Sequence, residues 1–318
     1  MCIMTIAVGA HPDYPLIVAH NRDEHYSRET TPLRQEGDVI CATDMLSGGT
    51  WMGVNVRTGA IAVLTNVRAR SKPSRSRGEL VRRTLSGDAE AATNTTDYVL
   101  YNLLHGVLAP EGRPPALRLT VSTPPDLAPT TCPLPPPPFI ATKSNDHGGG
   151  WTDAESSLDD ECTWPKAAWL REGVAAAMAS EAVQAARGEP GARGALLDAL
   201  APLMSASTMA GSAHAPRAAA ARPSKYSGCS GEEERLLHRA PFLRPFELLA
   251  GGDGSDLGDH EYGTVSQSVL VQCKSERCLL YAYRTTIMSS GTGRKRTRGD
   301  TSRAPEVEGK WTWRRVDL

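Results

Sequence analysis

Aromatic residues make up only 5% of this 318-residue chain, which is thin for a core of that size. No stretch approaches the roughly 18 consecutive apolar residues that a membrane-spanning helix needs. Charge of one sign is missing too. The formal net charge is −1, which argues against a global nucleic-acid-binding surface. Seven cysteines, odd in number and scattered, form no Cys-x-x-Cys pair, so neither a zinc site nor a disulfide framework is expected. There is no glycine-rich phosphate loop and no haem-attachment run. The N-terminus has no basic stretch followed by an apolar one, so a secretory signal is not expected, nor is it Arg-rich like a mitochondrial presequence. Glycine and proline are plentiful instead: 29 and 23 residues, enough to make a good part of the chain loop or insertion.

The first twenty-six residues organise the rest. Residues 2–8 are apolar and β-branched, and Leu16-Ile17-Val18-Ala19 is a second strand. Between them His11-Pro12-Asp13-Tyr14-Pro15 reads as a turn, because two prolines fix φ and remove two donors. Pairing the strands returns Asn21-Arg22-Asp23-Glu24 to the neighbourhood of Cys2. Methionine aminopeptidase tolerates a small second residue, so the mature chain is expected to begin at Cys2. Thiol and free α-amine then share one residue, a nucleophile that carries its own base. The bland alternative is a small buried hydrophobe in a strand.

Further along, residues 27–45 read as a polar loop. Strands at 51–56 and 60–65 form a second hairpin around Thr58-Gly59, and a helix opens at Gly78-Glu79. A short helix is expected at 97–104. A long one is expected at 166–187, and another at 195–200 closed by Pro202. Residues 266–273 and 279–284 alternate as a strand pair, and 311–318 reads as an edge strand. One domain over 1–318 is expected, with insertions at 125–138, 146–160, 204–232 and 289–309.

Cys2, Asn21-Arg22-Asp23-Glu24, Gly48-Gly49-Thr50-Trp51-Met52-Gly53-Val54, Leu64-Thr65-Asn66 and Arg77-Gly78-Glu79-Leu80 carry a resemblance. In order and spacing they resemble the transport and Golgi organisation protein 2 family, also named for its Asn-Arg-Asp-Glu run. The match is patchier at Thr163-Trp164-Pro165-Lys166 and Tyr262-Gly263-Thr264. The layout is similar to cysteine N-terminal-nucleophile hydrolases of the bile-salt hydrolase and penicillin acylase kind. The resemblance implies an α+β fold, a four-layer αββα sandwich with the N-terminal strand central. It also implies site roles: Cys2 as nucleophile, Arg22 beside its thiolate, Asp23 orienting the amine and Asn66 receiving the oxyanion. Asn145 fills the family's second asparagine position if 146–160 is an insertion. Val265 stands where the family has a late arginine.

For function the resemblance implies Golgi organisation, protein secretion and lipid or haem trafficking. The partner it implies is a small-molecule ligand, with acyl-coenzyme A, a lipid or haem bound and no required cofactor. A cytoplasmic protein associated peripherally with Golgi or mitochondrial membranes is expected. Three readings stay open: a carrier, a Cys2 amidohydrolase or acyltransferase, and a degraded paralogue that only folds.

Overall fold

Two hairpins that are neighbours in sequence end up in different sheets. The computed structural model describes residues 2–67, 75–88, 91, 97–109, 113–122, 128–132, 134–144, 165–187, 192–206, 246–247, 261–286 and 309–317. In chain order the elements begin with β1 (Ile3–Val8), β2 (Leu16–His25), β3 (Arg34–Glu36), β4 (Val39–Cys41), β5 (Met52–Asn55) and β6 (Ala60–Asn66). Then come α1 (Arg77–Leu85), β7 (Tyr101–Val107), β8 (Ala116–Ser122), β9 (Thr130–Cys132) and β10 (Phe139–Lys143). The second half adds α2 (Pro165–Ala179), α3 (Glu181–Ala185), α4 (Ala192–Met204), β11 (Phe246–Glu247), β12 (Glu261–Cys273), β13 (Cys278–Thr285) and β14 (Thr312–Asp317).

The first sheet runs β10-β1-β2-β12-β13-β14, with β11 paired to β12, and the second runs β3 to β9 in sequence order. All the pairings are antiparallel. Met4, Ile6, Val8, Leu16 and Val18 of the first sheet pack on Ile40, Met52, Val54, Ile61, Val63 and Leu104 of the second. The opposite face of the first sheet, including Ala7, Ile17 and Val269, is covered by Val174 and Met178 of α2 and Leu196 and Leu200 of α4. The outer face of the second sheet, at Ala62, Leu64 and Leu103, is covered by Leu80, Val81 and Leu85 of α1. The result is the expected α+β sandwich in four layers, helix–sheet–sheet–helix. β1 is interior, between β10 and β2, while β2 and β12 form the middle of the sheet.

Several sequence expectations are corrected. The helix expected at 97–104 is instead the approach to a strand, β7, with Leu100 at a positive φ of 64° just before it. β7 buries Tyr101 and Leu103 under α1 and Leu104 between the sheets, so its apolar residues show no period of two. The loop expected at 27–45 holds β3 and β4, whose Ile40 and Cys41 are buried. Within 125–138, expected as an insertion, β9 pairs with β8. The helix expected at 166–187 breaks at Ser180, whose side chain accepts a bond from Val183 N and caps α3. Pro202 lies inside α4 rather than closing it. Residues 146–160, 207–232 and 289–308 lie outside the described residues. Among the described residues, no helix is long and apolar enough to cross a membrane.

Two glycine-bearing motifs meet backbone to backbone. Thr50 N donates to Gly78 O at 3.1 Å. A Cβ on Gly49 would lie 2.6 Å from the Gly78 carbonyl carbon, closer than real Cβ atoms come. This contact docks the start of α1 on the turn before β5. Gly49→Ala is therefore expected to destabilise by about 1–3 kcal/mol through overpacking against rigid backbone. Urea unfolding reads the change directly. A shift inside the roughly 0.5 kcal/mol scatter of surface substitutions would mean the contact yields freely.

Candidate functional site

Strand alternation divides the Asn-Arg-Asp-Glu run between two environments. The register of Ile3 against Asn21 and Met4 against His20 carries the end of β2 past Cys2. Even-numbered residues of β1 and β2 face the second sheet, and odd-numbered ones face the helices.

Cys2 is 5% exposed. Burial above all pushes its thiol pKa up. The amino-terminal charge, the Asp23 backbone N–H and Arg22 pull the other way, while the Asp23 carboxylate adds to the rise. Ser144 Oγ donates to the Cys2 carbonyl at 3.3 Å. Asn102 Nδ2 then donates to the Ser144 carbonyl and to Thr65 Oγ1, each at 3.0 Å. This chain of bonds brings the end of β6, and with it Asn66, to the end of the sandwich that holds Cys2. Asn66 is the last residue of β6, opposite Tyr101. Asn145 lies outside the described residues, although Ser144 before it is fully buried in this network.

Arg22 points between the sheets. Its Nη2 meets Asp44 Oδ2 at 2.6 Å, and its guanidinium lies 4.4 Å from the centroid of Trp51. Arg28 Nε reaches the same Asp44 oxygen at 2.7 Å, and Arg28 Nη1 pairs with Glu24 at 3.2 Å. Burial works to raise the Glu24 carboxyl, but Arg22 and Arg28 hold it below its ordinary value. The other Asp44 oxygen accepts from Ser47 N at 2.9 Å and Ser47 Oγ at 3.1 Å.

Asp23 points the opposite way, towards α2. Thr264 Oγ1 donates to Asp23 Oδ1 at 2.6 Å, and Tyr262 OH donates to the Asp23 carbonyl at 3.1 Å. Burial raises its carboxyl pKa, against the amino-terminal charge, Lys166 and the Thr264 bond. Val265 sits at the irregularity where the β2–β12 register shifts, between Thr264 and Ser266. Thr264 thus holds the Asp23 carboxyl on the helix side of β2, within electrostatic reach of Lys166.

Two charged side chains near these residues were not singled out from the sequence. Lys166, fully buried near the start of α2, lies within electrostatic reach of Asp23. Its signal was a lysine inside a buried helix, beside Ala167 and Ala168. Arg77 opens α1 and donates from Nη1 to the carbonyls of Val67 at 3.1 Å and Leu100 at 2.9 Å. Burial lowers it to about 10. Glu24 and Cys2 lie within electrostatic reach and oppose that shift, while Arg28 adds to it. Only the tertiary fold brings α1 to this place. His20, two residues before Arg22, donates through Nε2 to Leu64 O at 3.1 Å. Burial lowers its pKa to about 4.

On the helix side of β1 and β2 a cavity of about 10 Å³, lined by Ile3, Thr5, Ala19, Asn21, Val174 and Leu200, has room for about one water molecule. No cluster of histidine, cysteine and carboxylate side chains suited to a metal occurs among the described residues.

Residues 1–285 match the protein family described as Transport and Golgi organisation 2. The mouse Transport and Golgi organization 2 homolog is 35% identical over 118 residues, covering 32% of this chain and 42% of that protein. The human homolog is 36% identical over 103 residues, 29% of this chain and 37% of that protein. These matches span less than half the length of either relative. Among solved structures, a Caenorhabditis elegans N-acylethanolamine-hydrolyzing acid amidase ortholog aligns over 63% of this chain and 85% of its own, at 11% identity and a TM-score of 0.35.

Proposed function

The chain belongs to the Transport and Golgi organisation 2 family, and from that premise we propose that it is a trafficking factor that binds its ligand beside Cys2. In this reading it serves Golgi organisation and secretion and carries acyl-coenzyme A, a lipid or haem, in contact with Golgi or mitochondrial membranes. The observation that carries it is the placement of Arg22. The arginine that acts on the Cys2 thiol is also paired with Asp44 and stacked on the Trp51 ring, and burial above all pushes the thiol pKa up. Such a site is built to hold a group rather than to attack one.

A second reading, a Cys2 amidohydrolase or acyltransferase, is favoured by one separate observation. Asp23 is fastened by Thr264 on the strand whose register runs past Cys2, where it orients the Cys2 α-amine that removal of Met1 frees. In that case Asn66 supplies the N–H that meets the oxyanion.

The test titrates acyl-coenzyme A and haem into wild type and Cys2→Ser, then follows acyl-coenzyme A hydrolysis over hours. Saturable binding without turnover, nearly unchanged in Cys2→Ser, is the expected result. Hydrolysis that disappears in Cys2→Ser and falls about a hundredfold or more in Asn66→Ala establishes the enzyme instead. Intact-mass analysis of the same protein shows whether Met1 has been removed and whether an acyl group adds at Cys2.

A further inference from the structure

Between the sheets, two buried donors next to one another have nothing to donate to. Arg22 Nη1 and Trp51 Nε1 have no hydrogen-bond partner among the described residues. Both residues are 5% exposed. A buried guanidinium presents five N–H donors, and leaving a charged one unpaired is costly enough that native structures rarely do so without a reason. The surrounding charges point the same way. Three guanidinium groups, Arg22, Arg28 and Arg77, lie within electrostatic reach of two carboxylates, Glu24 and Asp44. Asp23 does not supply the missing charge, since it faces the helices with Lys166. Among the described residues, these guanidinium groups outnumber the carboxylates paired with them by one.

We propose that Arg22 and Trp51 anchor one anionic oxygen group of the ligand, a carboxylate or a phosphate, at the Cys2 end of the space between the sheets. The proposal rests on the binding reading above and names the part of the ligand that is recognised. A guanidinium with a second N–H beside it suits a group bearing two or three charged oxygens, because each oxygen takes its own donor. Access is short. Asp44, the partner of Arg22, begins a tight turn closed by Gly48 N to Asp44 O at 2.8 Å and Asp44 N to Gly49 O at 2.9 Å. The next two residues in that turn, Met45 and Leu46, are 59% and 75% exposed. The anchor therefore lies one turn below exposed apolar side chains.

The experiment is isothermal titration of wild type and Trp51→Phe with palmitate, with coenzyme A and with uncharged hexadecanol. Phenylalanine keeps an aromatic ring under Arg22 and removes only the N–H. Trp51→Phe is expected to weaken the bound anion about tenfold. It should leave hexadecanol unchanged and not lower the melting temperature. An effect on palmitate identifies the carboxylate, and one on coenzyme A the phosphate. Anion affinities equal to wild type, or an equal loss for hexadecanol, overturn the anchor while leaving the binding reading in place. If neither anion saturates the wild-type protein, the anchor falls, and the binding reading is then decided by the acyl-coenzyme A and haem titrations above. Should Trp51→Phe melt early, Arg22→Lys takes its place, since it keeps the charge and loses the planar fork. Unchanged anion affinity in that variant overturns the anchor equally.

Discussion

Trp51→Ala lowers the free energy of unfolding by about 3–5 kcal/mol, the range for truncating a buried tryptophan. Trp51 packs in the cluster between the sheets, with its ring 6.3 Å from that of Tyr283. It also underlies the Arg22 guanidinium. Removing it opens a cavity and strips a buried cation of its aromatic neighbour at once. The loss should therefore fall towards the upper part of that range. Urea unfolding of wild type and variant gives the number from the shift in midpoint at constant slope. A loss below about 1 kcal/mol would place Trp51 among ordinary surface positions and dismiss it as a core anchor. Trp51→Phe separates the two roles of this residue, because it spares most of the packing and removes the N–H.

The second large effect is on acid stability, and it comes from His20. Burial holds this imidazole neutral down to about pH 4, against an ordinary value of 6.5. Below 6.5 the unfolded chain takes up a proton that the folded chain refuses until about 4. The unfolded state therefore binds more protons throughout that window, and stability falls as pH drops through it. The stability is fully present above 6.5. The shift is worth about 3 kcal/mol at the acid end. His11 and His105, also lowered by burial, act in the same direction. Asp23 acts oppositely: burial raises its pKa, so its contribution declines as pH rises above 3.8. The comparison is thus between wild type and His20→Gln, where glutamine keeps a donor for Leu64 O. Unfolding at a series of pH values from 7 to 4 should show wild type losing about 3 kcal/mol more than the variant. Parallel curves would show that His20 is not held neutral.

How much was legible in the sequence depended on whether a feature was local. Both opening hairpins could be read because each pairs neighbours across a short turn marked by proline or glycine. The edge strand near Trp311 and Trp313 could be read because, among the described residues, β14 has a neighbour on one side only. β7 could not, since a strand covered on both faces loses the alternation that announces it. β4 was too short to show a pattern.

The same division runs through the site. Sequence by itself determined the family, and it determined that Cys2 and the Asn-Arg-Asp-Glu run lie at one place, because a hairpin register carries one to the other. In the structure Arg22 and Asp23 face opposite ways, since side chains alternate along β2. Only the tertiary structure decided what each of them meets. Asp44, Trp51 and Arg77 reach the Arg22 side from the second sheet and its helix, while Thr264 and Lys166 reach Asp23 from β12 and α2. Those partners are distant along the chain, from 22 residues to 241. No local pattern encodes contacts of that kind, because they follow from burying two sheets against each other and helices against both.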